Sequence, residues 1–166
     1  MQRVLVIGSP GAGKSTFARA FARLSGLPLI HLDAEYHLPG WQERDPAEWD
    51  ARLDTLLTGD NWIIDGNYGG SMDRRLTRAD TAILLDYPTS LCLWRVIKRV
   101  TSLHGQVRPD AAPGCPERLD LEFLAYVAAF RRNKAPALER RLAGFPGKVI
   151  RFKGPRDAQA FLDRLA

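Results

Sequence analysis

Cysteine is scarce in this 166-residue chain: Cys92 and Cys115 are too few for a disulfide scaffold or a four-cysteine zinc site, so both are read as reduced thiols. Long apolar runs are missing too. The run near the start, Val4 to Ile7, falls far short of the ~18 residues that span a bilayer and cannot serve as a secretory h-region. A cytoplasmic protein with no membrane partner is expected. The three histidines, His31, His37 and His104, have no Cys or His partners at zinc-ligand spacing, and no zinc is assigned. Repeats, low-complexity tracts and a dividing linker are also lacking. A single domain over residues 1–166 follows, in which 45% hydrophobic and 26% charged residues supply an ordinary core.

Charge is present but uneven. Residues 1–90 hold 9 basic and 12 acidic side chains, net −3, whereas residues 91–166 hold 15 and 7, net +8. Nineteen of the 24 cations are Arg, whose planar fork suits phosphate. The second half therefore implies an anionic partner, either nucleotide phosphates or a nucleic-acid backbone.

Short apolar runs at Arg3–Ile7, Pro28–Leu32, Trp62–Ile64, Thr81–Leu85 and Lys148–Phe152 predict five strands, most of them continuous enough to be buried on both faces. Helical patterns fill the gaps. Phe17, Ala20, Phe21 and Leu24 repeat at helical spacing until Gly26 and Pro28 stop the helix. Asp45-Pro46-Ala47-Glu48 gives an N-cap, a proline at the first helical position and a capping-box Glu48, ahead of a buried stripe of Trp49, Leu53 and Leu56. Further helices are predicted from Thr89 or Ser90 to about Leu103, through Phe123, Val127 and Phe130 to before Pro136, and over Arg156–Leu165. Alternating strands and helices specify an α/β fold, a parallel sheet with helices on both faces. Residues 104–118 carry three prolines and two glycines without periodicity and read as a mobile surface loop.

The chemistry-bearing motif is Gly8-Ser9-Pro10-Gly11-Ala12-Gly13-Lys14-Ser15, a match to G-x-x-x-x-G-K-[ST] placed directly after a strand and before a helix. Glycines let the backbone wrap closely, N–H groups turn inward to phosphate oxygens, and the helix N-terminus adds partial positive charge. Lys14 is expected on the β- and γ-phosphates, Ser15 on Mg²⁺, and Thr16 on the α-phosphate. ATP and Mg²⁺ are the implied cofactors. The guanine-reading N-K-x-D is absent, because Asn133-Lys134 is followed by Ala135 and Pro136. A compact chain opening on this loop reads as a small-molecule or nucleotide kinase.

Four further stretches carry a resemblance: residues 31–41 (His31 to Trp41), 62–68 (Trp62 to Tyr68), 79–88 continuing to Arg99, and 108–117 (Arg108 to Glu117). With the loop they cover most of the chain, which resembles the adenylate-kinase-like P-loop kinase superfamily and, within it, the DNA topology modulation proteins. The resemblance implies a three-layer P-loop NTPase fold, with a five-stranded parallel sheet in the order 2-3-1-4-5. It also implies an acceptor-binding region at about residues 33–60 and an arginine-bearing lid at about 101–122.

Residue roles follow from the same likeness. Asp65 matches the aspartate that holds Mg²⁺ through water and lies toward the acceptor, with Asp86 as competitor; by hydropathy the two are equivalent, and Asp86 can instead cap the next helix. Arg95 and Arg99 share one helix face, as do arginines that lie on nucleotide and phosphates in related kinases, and are expected in catalysis. Arg108 is expected to close with the lid and exclude water. Asp33 ends the second strand, where ligands enter such sheets, and can take a proton from a hydroxyl acceptor or serve as a turn carboxylate. Trp41, Tyr36 and His37 offer stacking surfaces or simple packing.

The Pro-Arg pair that follows Asp-Gly in adenylate kinases is replaced here by Asn67-Tyr68. Arg75 is therefore preferred over Arg74 and Arg78 for gripping an acceptor phosphate, and Arg131 and Arg132 are further acceptor contacts. An ATP-regulated DNA-associated protein and an acceptor-independent ATPase stand as alternatives. No helix-turn-helix, zinc finger or aromatic-basic RNA motif is present. Either a monomer or a homodimer is compatible with the sequence.

Overall fold

The computed structural model of the chain describes residues 1–165. Its centre is a sheet of five strands, β1 (Arg3–Gly8), β2 (Leu29–His31), β5 (Trp62–Asp65), β6 (Thr81–Leu85) and β7 (Lys148–Phe152). They run in the order β2-β5-β1-β6-β7, every pairing parallel, which is the expected 2-3-1-4-5 once the sheet strands alone are counted. A two-residue hairpin of β3 (His37–Leu38) and β4 (Gln42–Glu43) stands apart from it.

Strand pleating sorts the core into two layers. Val4, Val6, Ile63, Ile83 and Leu85 face one side, while Leu5, Ile7, Ile64, Ala82 and Leu84 face the other. The first layer is covered by α1 (Lys14–Ser25), α5 (Thr89–Leu103), α6 (Leu121–Asn133) and α8 (Pro155–Asp163). The second is covered by α3 (Pro46–Leu57), α4 (Met72–Arg78) and α7 (Ala135–Ala143). Phe17 and Phe21 of α1 stack with Phe152 and Phe161, so one aromatic cluster ties the first helix to the last strand and the last helix.

Local signals act as the sequence implies in several places. Gly26 ends α1 in the left-handed conformation, its N–H donating to Ala22 O. The Asp45 carboxylate accepts from the N–H groups of Ala47 and Glu48, with Pro46 at the first position of α3. Its buried stripe is Trp49, Leu53 and Leu57; Leu56 is only half-buried, a one-residue correction. Three helices escaped the sequence reading: the short α2 (Leu32–Tyr36), α4 and α7. α7 begins where proline was expected only as a stop, because Pro136 occupies its first turn, where its missing N–H costs nothing.

The largest correction concerns residues 104–118. Rather than standing off as a surface loop, the segment turns its middle inward: Asp110, Ala111, Ala112, Cys115 and Glu117 are buried, while residues 104–107, 109, 113, 114 and 118 stay exposed. Bridges between His104 and Glu117 and between Val107 and Pro116 close it into a compact loop. It is seated on the 33–60 region: Gly40 N–H donates to Gly114 O (2.8 Å), Trp41 Nε1–H to Pro116 O (2.9 Å) and Cys115 S–H to Leu38 O (3.2 Å).

Truncating the shared aromatic cluster tests this arrangement. Phe21→Ala, at a side chain 1% exposed, is expected to cost about 3–5 kcal/mol in urea unfolding, whereas Leu121→Ala, at one 73% exposed, stays within about 0.5 kcal/mol.

Candidate active site

Because all five strands are parallel, their C-terminal ends share one edge. β1 lies between β5 and β6, so the chain leaves it toward opposite sides of the sheet, which opens a crevice at that point. The Gly8–Ser15 turn sits there. Gly8 (φ +139°), Gly11 (φ +82°) and Gly13 (φ +90°) adopt conformations that L side chains rarely take. Space excludes a side chain as firmly as the dihedrals do: a Cβ on Gly8 would lie 2.3 Å from Leu85 O, and one on Gly11 would lie 2.3 Å from Cys92 O. The turn is thus pressed against β6 and α5, and its remaining face opens to the crevice.

Lys14 reaches back over the turn, its Nζ donating to Ser9 O (3.2 Å). Burial lowers its pKa, while the carboxylates of Asp65 and Asp33 oppose that shift. Asp65 is 4% exposed, and its Oδ2 accepts from His31 Nδ1 (2.8 Å). Its Oδ1 is buried without a hydrogen-bond partner, an orphaned acceptor of the kind a cation or its water satisfies. The glycine cradle, Lys14, Ser15 and this free oxygen fit a magnesium-bound triphosphate. Asp86 behaves differently: it ion-pairs with Arg151 (3.0 Å) and Arg131 (3.5 Å), and α5 has no side-chain cap at its start.

Sequence reasoning missed Asn67. Its Oδ1 accepts from Gly8 N–H (3.0 Å) and its Nδ2 donates to Gly8 O (2.7 Å), so the turn after β5 holds the first peptide of the phosphate loop from both sides. The departure at Asn67-Tyr68 was the available signal. Tyr68 takes φ +36°, one of two non-glycine residues with positive φ among those described; Trp41 (φ +63°) is the other. Both flank Asp33. Strain of this kind, about 1–3 kcal/mol per residue, persists only where neighbours enforce it.

Arg75 supplies the enforcement at Tyr68. Its side chain is 0% exposed, and it donates to Gly66 O (2.8 Å), Asn67 O, Tyr68 O (2.9 Å) and Ser71 Oγ (3.2 Å). Burial pushes its pKa down to about 9, which leaves it a cation at neutral pH. The expectation that Arg75 grips an acceptor phosphate is therefore corrected: its donors are engaged by backbone carbonyls, and no face of it meets solvent.

Asp33, on α2, is the most open of these carboxylates, 42% exposed at its side chain. Tyr68 OH donates to its Oδ1 (2.8 Å), and its Oδ2 lies 3.8 Å from an Arg108 nitrogen. Burial, and after it the Asp33 carboxylate, raise the Tyr68 pKa far above the usual phenol range, so Tyr68 stays a donor. His37, Tyr36, Trp41 and Trp49 line the same hollow, with Trp41 edge-on to His37 at 5.2 Å.

The arginines divide. Arg95 donates to Ala12 O (3.0 Å) and lies over the Tyr87 ring at 5.7 Å, against the phosphate loop. Arg99, one turn on, ion-pairs with Glu117 (3.1 Å), and burial and the nearby Arg108 lower its pKa. Arg108 pairs with Asp110 and Glu117. Arg131 stands with Gly8, Ser9 and Tyr87 around a small cleft on the β6 side, apart from Asp33. Arg132 is exposed and touches only the neighbouring Asn133 (3.3 Å). Neither meets the acceptor hollow, which corrects the expectation for both.

No protein-family model matches the chain, and no curated protein matches it. Solved structures do. Shikimate kinase from Acinetobacter baumannii in complex with shikimate aligns with TM-score 0.62 at 16% identity, covering 99% of this chain and 90% of that one. A gluconokinase from Sinorhizobium meliloti 1021 aligns at 0.56 and 19%, covering 99% and 93%. Shikimate kinase from Bacteroides thetaiotaomicron aligns at 0.53 and 18%, covering 99% and 95%. At such identities the likeness is one of fold, and the fold is that of P-loop kinases. No helix among the described residues is long and apolar enough to cross a membrane.

The reassignment of Arg75 can be checked directly. Arg75→Met leaves three carbonyls without their donor and is expected to lower unfolding free energy by about 3 kcal/mol, while Arg132→Met changes it by less than about 0.5 kcal/mol. An unaltered urea midpoint for Arg75→Met would return the residue to the acceptor-binding candidates.

Proposed function

We propose that the protein is an ATP- and Mg²⁺-dependent kinase whose acceptor is a small molecule bearing a hydroxyl group. The single observation that carries this reading is the pairing of the glycine cradle and Lys14 with Asp33, one oxygen of which is fixed by Tyr68 while the other faces the crevice. An ionised phosphate acceptor needs no base and does need cations. In the acceptor hollow the nearest groups are Asp33, Tyr68, His37 and Trp41, and the cations on its flank are already matched: Arg108 ion-pairs with Asp110 and Glu117, Arg44 donates to Glu35 O, and Arg52 ion-pairs with Glu35. That chemistry favours a neutral hydroxyl over a nucleoside monophosphate. The neighbours' names, shikimate kinase and gluconokinase, support kinase chemistry on a small molecule.

In this reading the backbone N–H groups of residues 8–15 and Lys14 hold the triphosphate, and Arg95 braces the loop from behind through Ala12 O. Ser15 and Asp65 would hold Mg²⁺, which when bound supplies charge neutralisation between the β- and γ-phosphates. Asp33 Oδ2 takes the proton from the acceptor hydroxyl as its oxygen bonds to the γ-phosphorus and the bond to the ADP oxygen breaks. Arg99 and Arg108 are the groups able to offset charge on the equatorial oxygens, an effect worth roughly 10³–10⁵ in rate for one such arginine. Residues 104–120 act as the lid, and exclusion of water is its role.

The narrower likeness to DNA topology modulation proteins rests on the motifs alone. A nucleic-acid role draws less support than the +8 of the second half suggests, since Arg131, Arg141 and Arg151 are matched by Asp86, Asp73 and Glu139. Cytoplasmic residence and a monomeric or homodimeric state belong to the same proposal.

An acceptor screen decides the matter. With ATP and Mg²⁺, a hydroxyl-bearing acid or sugar is expected to raise ADP release above the acceptor-free rate, and nucleoside monophosphates are not. Asp33→Asn should lower kcat about 10²–10⁴-fold with nucleotide affinity intact, and Lys14→Ala should abolish nucleotide binding in calorimetry. Stimulation by a nucleoside monophosphate that survives Asp33→Asn would reject the hydroxyl reading; no binding of ATP by the folded wild type would reject the kinase.

A further inference from the structure

The buried acids of the 104–120 segment have no part in the phosphoryl transfer described above. Asp110 and Glu117 are each 4% exposed. Asp110 ion-pairs with Arg19 (3.2 Å) on α1 and with Arg108. Burial alone would raise its pKa; Arg108, Ser15 and Arg19 outweigh burial and hold it below the usual carboxylate value. Glu117 pairs with Arg99 and Arg108. Two carboxylates from one loop thus engage three arginines, Arg108 of the loop itself and Arg19 and Arg99 on the helices that face it.

We infer that the loop's Asp110 is a built-in surrogate for the nucleotide's anionic tail: it occupies the Arg19 and Arg108 guanidinium groups in the nucleotide-free protein, and its carboxylate must give them up when a triphosphate enters. The inference rests on the P-loop reading above. A metal-ligand role for Asp110 fits the surroundings less well, because two guanidinium groups already neutralise it and would repel a divalent cation. The geometry also explains why a Pro- and Gly-rich segment is folded inward: its acids need the cations, and the cations, without a ligand, need the acids. Withdrawal has a visible consequence. Trp41 is hydrogen-bonded through Nε1 to Pro116 and packed on Ala111, Ala112 and Cys115, so a rearrangement of the loop over the crevice changes its surroundings.

A state that binds only after Asp110 withdraws has its apparent affinity reduced by the fraction in which it has withdrawn, so removing the carboxylate charge raises affinity. Calorimetry with the non-hydrolysable ATP analogue AMP-PNP, with and without Mg²⁺, is expected to give at least about tenfold tighter binding for Asp110→Asn than for wild type under both conditions. Trp41 emission, isolated by subtracting the Trp41→Phe spectrum, should shift on AMP-PNP saturation of wild type and stand already shifted in ligand-free Asp110→Asn. Equal affinity overturns the inference, and so does weaker binding; weakening confined to the Mg²⁺ arm would make Asp110 a metal ligand. Should the variant fail to fold, unshifted Trp41 emission in nucleotide-saturated wild type overturns it equally. Wild type that ignores AMP-PNP while folded is a different result, the failure of the P-loop reading itself.

Discussion

A cluster of cations cannot be assembled at the edge of a sheet without something to hold it together, and this requirement governs the crevice. Lys14, Arg19, Arg95, Arg99 and Arg108 converge there from two helices and a loop. Each is matched by an oxygen of the protein: Ser9 O, Asp110, Ala12 O, Glu117, and Asp110 with Glu117. Like charges at a few ångströms repel by several kcal/mol at the dielectric of a partly buried site, so the matching sets are part of what keeps the site formed. A site arranged in this way is poised for exchange, since an arriving polyanion replaces one set of oxygens with another.

The same requirement separates the two classes of buried arginine. Arg75 is held by carbonyls and a hydroxyl, which carry partial charge and cannot leave without unfolding the turn they belong to. Its partners are permanent, and its work is to fix Gly66 to Tyr68, and through Asn67 the start of the phosphate loop. Arg108 is held by two carboxylates on its own loop, with a third nearby on α2. Burial alone would not tell them apart; the chemistry of the partners does.

That distinction marks what the sequence could and could not reveal. The five strands, the phosphate loop and the caps at Asp45 and Gly26 were legible because each is a local signal: hydropathy runs, glycine spacing, a side chain beside the N–H it accepts. The roles of Arg75, Asn67 and residues 104–118 were not. Arg75 looks like any helical arginine until the turn nine residues earlier folds over it, and Asn67 meets Gly8 across 59 residues of chain. Three prolines and two glycines imply irregular backbone, which is correct, but irregular is not the same as exposed. What buries the segment is a set of long-range pairings, Asp110 with Arg19 and Gly114 with Gly40, that no window of sequence contains. The short α4 and α7 failed for a related reason, since few apolar residues are needed when a helix only caps one end of a layer.

The acceptor hollow carries the argument one step further. Two strained residues border the stretch that carries Asp33, Tyr68 bonded to its carboxylate and Trp41 packed on His37, and each is restrained by a partner from elsewhere: Trp41 by the 104–118 segment through Pro116, Tyr68 by Arg75. The wall on one side is fixed, because Arg75 is sealed in the core. The wall on the other rests on residues 104–120. Under the exchange proposed for Asp110, an acceptor seated against Tyr68 feels the state of the nucleotide site through Trp41, because the carboxylates that pair with the arginines and the carbonyl that holds the Trp41 indole belong to one segment. Coupling of this form needs no long pathway. It follows from one compact loop in which Asp110 and Glu117 bracket the residues that touch Trp41.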